Sequence, residues 1–309
     1  MSAAFTLEDV PSLARSTVLR DELLRADPER LAAGWPTAAV LRVDHAGRVA
    51  VRGGALVLAR AGELSAEPPR TAVLLGQDST TPVWAVPVPE LDLAPGELAT
   101  DLRVGGSMLD ATGAGLLTTA TALLRWHAMA GYCTVCGGRT KPASSGWVRR
   151  CTQCGREEHP RTDPAVICLV HDGRNQVLLG RQPTWPPGRF SVLAGFVEAG
   201  ESLEACVVRE VHEEVGAQVR DVHYLGSQPW PFPRSIMLGF EATADSAAAV
   251  VPRDGEIAEA HWFTRHEVRA ALARGEWTGG PDEPGAEVAL LLPGSISIAR
   301  KMLESWVAG

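Results

Sequence analysis

Residues 195–217 read GFVEAGESLEACVVREVHEEVGA. A glycine-bounded loop, Gly195 to Gly200, precedes a segment that Ser202 can cap and Gly216 can end, so the spacing predicts a loop running into a helix. On that helix Leu203, Val207, Val211 and Val215 recur every fourth residue and form an apolar stripe for burial. Glu210, Glu213 and Glu214 are related by three- and four-residue steps and crowd one face, where like charges repel. Arg209 can pair with Glu213 four residues on, but one guanidinium cannot neutralise three acids plus Glu201 in the preceding loop. A hard divalent ion with oxygen ligands can, and Mg²⁺ or Mn²⁺ fits that donor set.

Outward from this stretch, 309 residues that are 45% hydrophobic and 21% charged allow two domains plus a small module. A net charge of -8 and a pI near 5.5 argue against a protein devoted to non-specific binding of nucleic acid or anionic membrane. No apolar run is long enough to span a bilayer and the N-terminus lacks a basic-then-apolar leader, so cytoplasmic residence and no membrane partner are the expectation.

Residues 38–88 carry short Val- and Leu-rich runs at 39–43, 55–59, 72–76 and 83–88 between Gly, Asp and Pro turns, which predicts an antiparallel sheet. Residues 115–129 have helical periodicity and are expected to pack on it. This half shows no clustered acids, so it reads as a scaffold or dimerisation domain; Arg103 and the Arg125-Trp126-His127 triplet read as interface or structural groups. Cys133, Cys136, Cys151 and Cys154 then form two CxxC units, each followed by glycine, with the spacing of a zinc ribbon. Four thiolates close the Zn²⁺ shell, so one structural zinc per chain is expected; Cys168 and Cys206 read as buried free thiols. Arg139, Lys141, Arg149 and Arg150 can contact phosphates or form a solvated basic surface. Two apolar runs around Asp172-Gly173 predict a hairpin, and strands are expected at 190–194, 218–225 and 235–242, and around Trp262. Residues 267–274 and 296–307 read as closing helices. Between the expected strands 218–225 and 235–242 lies SQPWPFPRS, residues 227–235, whose alternating prolines are expected to stiffen an extended segment presenting Trp230 and Phe232 for stacking.

The glycine-to-aliphatic pattern of Gly195, Glu201, Arg209, Glu210, Val211, Glu213, Glu214 and Gly216 resembles the Nudix hydrolase signature, with Ala217 smaller than its usual last residue. Together with SQPWPFPRS and the four cysteines it is similar to the NADH pyrophosphatase and NAD-capped RNA hydrolase branch, most closely over residues 133–309. The resemblance implies an α+β chain with an N-terminal Nudix-like scaffold domain (1–128), a four-cysteine zinc ribbon (129–160) and a C-terminal catalytic Nudix α/β/α sandwich with a mixed sheet (161–309). It implies a homodimer, and hydrolysis of NADH or NAD⁺ to nicotinamide mononucleotide and AMP, with removal of NAD caps from RNA 5′ ends as the same chemistry.

Within that resemblance more than one divalent ion is held by Glu210, Glu213 and Glu214, the Ala194 carbonyl, and Glu256 or, failing it, Glu259. Arg209 orients carboxylates and Glu201 holds loop and helix in register, while the general base is Glu213 or another site carboxylate. Substrate contacts fall to Phe196, Gln228, Pro229, Trp230, Pro231, Phe232, Pro233, Arg234, Ser235 and Ala299, and to His159, which stands where the family often has a tyrosine. Arg234 adds a charge where a neutral polar residue is common. Two other readings remain open: a Nudix hydrolase for ADP-ribose or diadenosine polyphosphates, and a zinc-ribbon nucleic-acid-binding protein with a silent Nudix fold.

Overall fold

The computed structural model describes residues 4–253, 255–275 and 289–309; residues 1–3, 254 and 276–288 of the expected domain spans lie outside these. Contacts gather the chain into two units. One holds the N-terminal residues up to Ala14, Asp163–Pro229 and Ser235–Gly309, and the other holds Arg15–Thr162 and Trp230–Arg234.

In the second unit, short helices α1 (Glu22–Arg25) and α2 (Pro28–Gly34), capped by Asp21 and Asp27, lead into strands β1 (Ala39–Val43), β2 (Val49–Arg52), β3 (Ala55–Leu56) and β4 (Leu58–Arg60). Helix α3 (Ala61–Leu64), strands β5 (Val73–Asp78), β6 (Thr81–Pro87) and β7 (Leu98–Thr100), and helices α4 (Leu102–Gly105) and α5 (Ala111–Met129) complete it. The sheet orders are β4-β1-β6-β5 and β3-β2-β7. The expected antiparallel sheet is corrected at one pairing: β1 and β6 run parallel, Ala39 opposite Val83. The long excursion through β2 to β5 supplies the crossover that parallel neighbours require. The run 55–59 is also divided, β3 pairing β2 while β4 pairs β1. Helix α5 starts four residues earlier than its periodicity indicates, because Asp110 accepts from Gly113 N and caps an Ala-Thr-Gly turn that reads as loop. The ribbon follows, with β8 (Thr140–Ala143), β9 (Val148–Cys151) and β10 (Glu157–Glu158) in the order β10-β9-β8.

The first unit is built on β11 (Asp163–His171), β12 (Gln176–Arg181), β13 (Leu193–Phe196), β14 (Arg220–Trp230), β15 (Ser235–Thr243) and β16 (Glu259–Thr264). Their order is β14-β15-β11-β12-β16 with β13 on β11. The sheet is mixed: β11 is parallel to β15 and antiparallel to β12 and β13. The β11–β12 turn is the expected hairpin, closed by Asp172 Oδ1, which accepts from the amides of Arg174, Asn175 and Gln176.

Because strand side chains alternate, β11 serves two cores. Val166, Cys168 and Val170 pack under α6 (Leu203–Val215), whereas Ile167 and Leu169 pack under α7 (Arg265–Arg274) and α8 (Ile298–Ala308), giving helix, sheet and helix layers. Helix α6 begins where Ser202 Oγ accepts from Ala205 N and ends at Gly216, left-handed at φ 72°. The expected stripe is the buried one, Val207, Val211 and Val215 being at most 1% exposed. Each of those side chains contributes roughly 1.5–3 kcal/mol by burial, which fixes the rotation of α6 and leaves Glu213 half exposed while Glu214 is buried. Val211→Ala should therefore lower the stability of this unit by about 1.5–3 kcal/mol, read as a drop in the urea midpoint followed by circular dichroism.

Candidate active site and zinc ribbon

The carboxylates of the first unit gather around Arg209, whose donors are consumed by them. Its Nε and Nη2 donate to Glu201 at 3.1 and 2.5 Å, its Nη1 donates to Glu210 and Glu213 at 2.9 Å each, and its Nη2 also reaches the Phe196 carbonyl at 3.0 Å. The Arg209 guanidinium and the Glu198 amide hold the Glu201 carboxyl down to about 2. Arg209 in turn is pushed above the ordinary arginine value, chiefly by Glu201. Glu201 thereby closes the 195–200 loop onto the helix. Cys206, 0% exposed behind it, donates to the Phe196 carbonyl at 3.5 Å, and burial pushes its thiol up to about 12, with Glu201 adding to the shift. It is an inert thiol.

Glu210 behaves differently. Burial raises its carboxyl above the usual range, and the charges of Glu213 and Glu256 add to the rise against the opposing pull of Arg209. Its carboxylate occupies the space that a Cβ at residue 195 would fill, so only glycine leaves room for it beside β13. Glu214 is 3% exposed on the helix's inner side.

Arg209, Glu210 and Glu213 line a cavity of about 820 Å³ together with Ala194, Phe196, Ser235 and Glu256, whereas Glu201 and Glu214 are not among its lining residues. Glu256 stands on it, whereas Glu259 lies in β16 and is engaged by Arg181 at 2.5 Å. Arg181 and the strand thus separate the two acids that sequence left as alternatives. Among the described residues, the four cysteines alone bring three or more His, Cys, Asp or Glu ligand atoms all within 4.8 Å of one another, so the carboxylates stand wider than a preassembled cage. Their all-oxygen donor set, the Cβ-free space at Gly195 and the mutual repulsion at Glu210 nevertheless fit a hard divalent cation.

The other anticipated substrate residues are distributed. Phe196 is 59% exposed on the cavity, and Ser235 is buried on its wall. Gln228 is 0% exposed and donates to the Ile296 carbonyl at 2.6 Å, and Pro229 is half-buried beside it. Ala299 is 1% exposed in the core on α8 rather than in the cavity lining. His159 is exposed in the second unit.

The aromatic segment corrects the expected extended run. Strand β14 continues to Trp230, but Pro231, Phe232, Pro233 and Arg234 form a turn with a cis Phe232–Pro233 bond. Phe232 lies edge-on to Trp230 at 4.9 Å, the Arg103 guanidinium stacks on its ring at 3.9 Å, and Arg125 donates to the Pro231 carbonyl at 2.7 Å. Arg103 and Arg125 therefore have defined structural partners in the turn. Their distance along the chain from it hid the connection.

In the ribbon, Sγ separations of 3.8, 3.5 and 3.4 Å among the cysteines are close to the ~3.8 Å expected for thiolates at roughly 2.3 Å from one tetrahedral zinc. Gly137 and Gly155, both at positive φ, turn each CxxC loop back so that their amides reach the Cys133 and Cys151 carbonyls. Two of the four basic residues are internal or paired. Arg149 is buried, donating to Thr140 and to His127 Nδ1, and Arg150 pairs with Glu157 at 2.6 Å. Since His127 Nδ1 accepts from Arg149, its Nε2 carries the proton donated to the Gly146 carbonyl; burial, with Arg149 nearby, lowers its pKa and keeps it neutral.

Cavity residues that sequence spacing did not single out include Gln182, His212, Met237 and Arg253. Arg253 lies in an irregular segment without periodicity, and only its position after α6 in space marks it.

Three family models match in order: the NADH pyrophosphatase-like rudimentary NUDIX domain over residues 29–126, the NADH pyrophosphatase zinc ribbon domain over 130–158 and the NUDIX domain over 161–280. The chain belongs to the Nudix hydrolase superfamily, in its NADH pyrophosphatase and NAD-capped RNA hydrolase family. It is 53% identical to the NAD-capped RNA hydrolase NudC of Mycobacterium bovis over 98% of this chain and 97% of the relative, and equally to that of Mycobacterium tuberculosis. The Pseudomonas aeruginosa NudC is 43% identical over 55% of this chain and 66% of the relative. The ribbon is accordingly a structural zinc site, and the fold carries a divalent-metal requirement.

Two measurements check this geometry. Purified protein should contain about one zinc per chain, lost in Cys151→Ser, by metal analysis after dialysis. Gly195→Ala should displace the Glu210 carboxylate and weaken Mn²⁺ binding by about tenfold or more, with the circular dichroism spectrum unchanged.

Proposed function

We propose that this chain hydrolyses the diphosphate of NADH and NAD⁺ to nicotinamide mononucleotide and AMP, and removes NAD caps from RNA 5′ ends by the same chemistry. The observation that carries the reading is the acidic cavity beside an exposed Phe196, in a chain that matches NAD-capped RNA hydrolases almost end to end. Glu210, Glu213, Glu214, Glu256 and the Ala194 carbonyl would hold Mg²⁺ or Mn²⁺, more than one ion per site. Bound there, the cation supplies positive charge that offsets the anionic oxygens repelling an incoming water.

The chain's own residues do the rest. Arg209 keeps Glu210 and Glu213 in place and is too fully engaged to contact substrate. Glu213, with half its side chain exposed, is positioned to take a proton from water, and other cavity carboxylates share that possibility. Phe196 offers a ring face for a base, Ser235 a hydroxyl at the wall, and Trp230 with Phe232 a stiff aromatic corner. Gln228 and Ala299, both buried, complete the substrate residues that the family implies, and His159 supplies a smaller ring than tyrosine. The division 1–128, 129–160 and 161–309 then separates scaffold, ribbon and catalysis. The family's homodimer and a cytoplasmic location complete the proposal. No helix among the described residues is long and apolar enough to cross a membrane.

A metal-supplemented comparison of kcat/KM on NADH, NAD⁺, ADP-ribose and NAD-capped RNA tests the reading. Glu214→Gln should reduce turnover by at least about a hundredfold with zinc content intact. Trp230→Ala should hurt nicotinamide dinucleotides well beyond ADP-ribose. Equal losses on both substrates, or full activity of Glu214→Gln, would overturn the assignment.

A further inference from the structure

Among the described residues the cavity walls carry glutamates and two arginines, and the two are not equivalent. Arg209 spends its donors on Glu201, Glu210 and Glu213. Arg253 is held from behind by main chain. Its amide donates to the Glu214 carbonyl at 3.2 Å, and Val251 N donates to the Val215 carbonyl at 3.0 Å, so residues 251–253 cap the last turn of α6. The guanidinium then passes across Gly216, where a Cβ would stand 2.8–2.9 Å from Nε, Cζ and Nη2. A glycine here ends the helix and also opens the way for the side chain to the cavity. At the wall its Nη1 donates to His212 Nε2 at 3.3 Å, which orients the planar group beside the acidic face.

A cation at a helix C-terminus has an ordinary structural explanation, favourable interaction with the helix dipole. That accounts for the position of the main chain and the charge, but it does not require a guanidinium carried over the glycine to the cavity and aligned by a histidine.

We propose that Arg253 is a substrate-binding residue that grips a phosphate of the dinucleotide and of the product monoester. The inference rests on the diphosphate-hydrolase reading above. In that reaction water oxygen bonds to one phosphorus, the bridging P–O bond breaks, the bridging oxygen leaves with the other phosphate, and water's protons pass to solvent or site carboxylates. One singly charged anion on each phosphorus becomes a monoester with more negative charge, so a fixed guanidinium gains interaction as the bond splits.

The test compares Arg253→Gln and Arg253→Lys with the full-length wild type. The glutamine variant keeps a polar stem without the charge, and the lysine variant keeps the charge without the fork. Two readouts are used: kcat and KM on NADH, and the Kd for AMP by titration calorimetry with excess Mg²⁺. We expect Arg253→Gln to lose about tenfold or more in kcat/KM and in AMP affinity, Arg253→Lys to fall between, and both to melt within a few degrees of wild type. Unchanged AMP affinity in Arg253→Gln overturns the proposal, as does a loss only in step with a fall in melting temperature. If wild type fails on NADH, the functional reading falls, while AMP affinity still decides the role of Arg253.

Discussion

One guanidinium organises the acidic face. Arg209 bridges the loop acid Glu201 and the helix acids Glu210 and Glu213, and touches the Phe196 carbonyl of the strand that enters the loop. Loop, helix and strand therefore share one electrostatic fastening. Like-charged side chains on consecutive turns would otherwise splay toward solvent. The same contacts leave the carboxylate set with excess negative charge, which a divalent cation balances.

Much of this was legible because helix chemistry is local. Ser202, the four-residue apolar stripe and Gly216 state where α6 starts, which face is buried and where it stops. The CxxC pairs are legible for the same reason, since ligand spacing and loop geometry lie within a few residues. What escaped is non-local. Neither the parallel β1–β6 pairing nor the division of residues 55–60 between two sheets leaves a trace in alternation, which reports burial and not partner. The Asp110 cap was obscured by the Ala-Thr-Gly turn behind it. Glu256 and Glu259 sit in one short run, and only the Arg181 pairing in β16 separates them.

The ribbon shows how a basic composition can mislead. Arg149 reads as a surface cation, yet it is buried and spends its donors on Thr140 and a neutral His127. Burying a guanidinium is costly unless its donors are satisfied, and here they tie the β8–β9 hairpin to the end of α5. The network meets the cysteine cluster at one end of the small sheet, where Thr140 stands opposite Cys151.

The placement of Trp230–Arg234 bears on modularity. Trp230 ends β14 and the four residues after it lead to β15, yet all five are folded with the other unit, where Arg103 and Arg125 bed the Phe232 ring and the Pro231 carbonyl. A chimera joined near residue 160 would transplant the aromatic corner without its bedding. Linear shuffling of domains is thereby discouraged, and drift at Arg103 or Arg125 is tethered to a turn more than a hundred residues downstream.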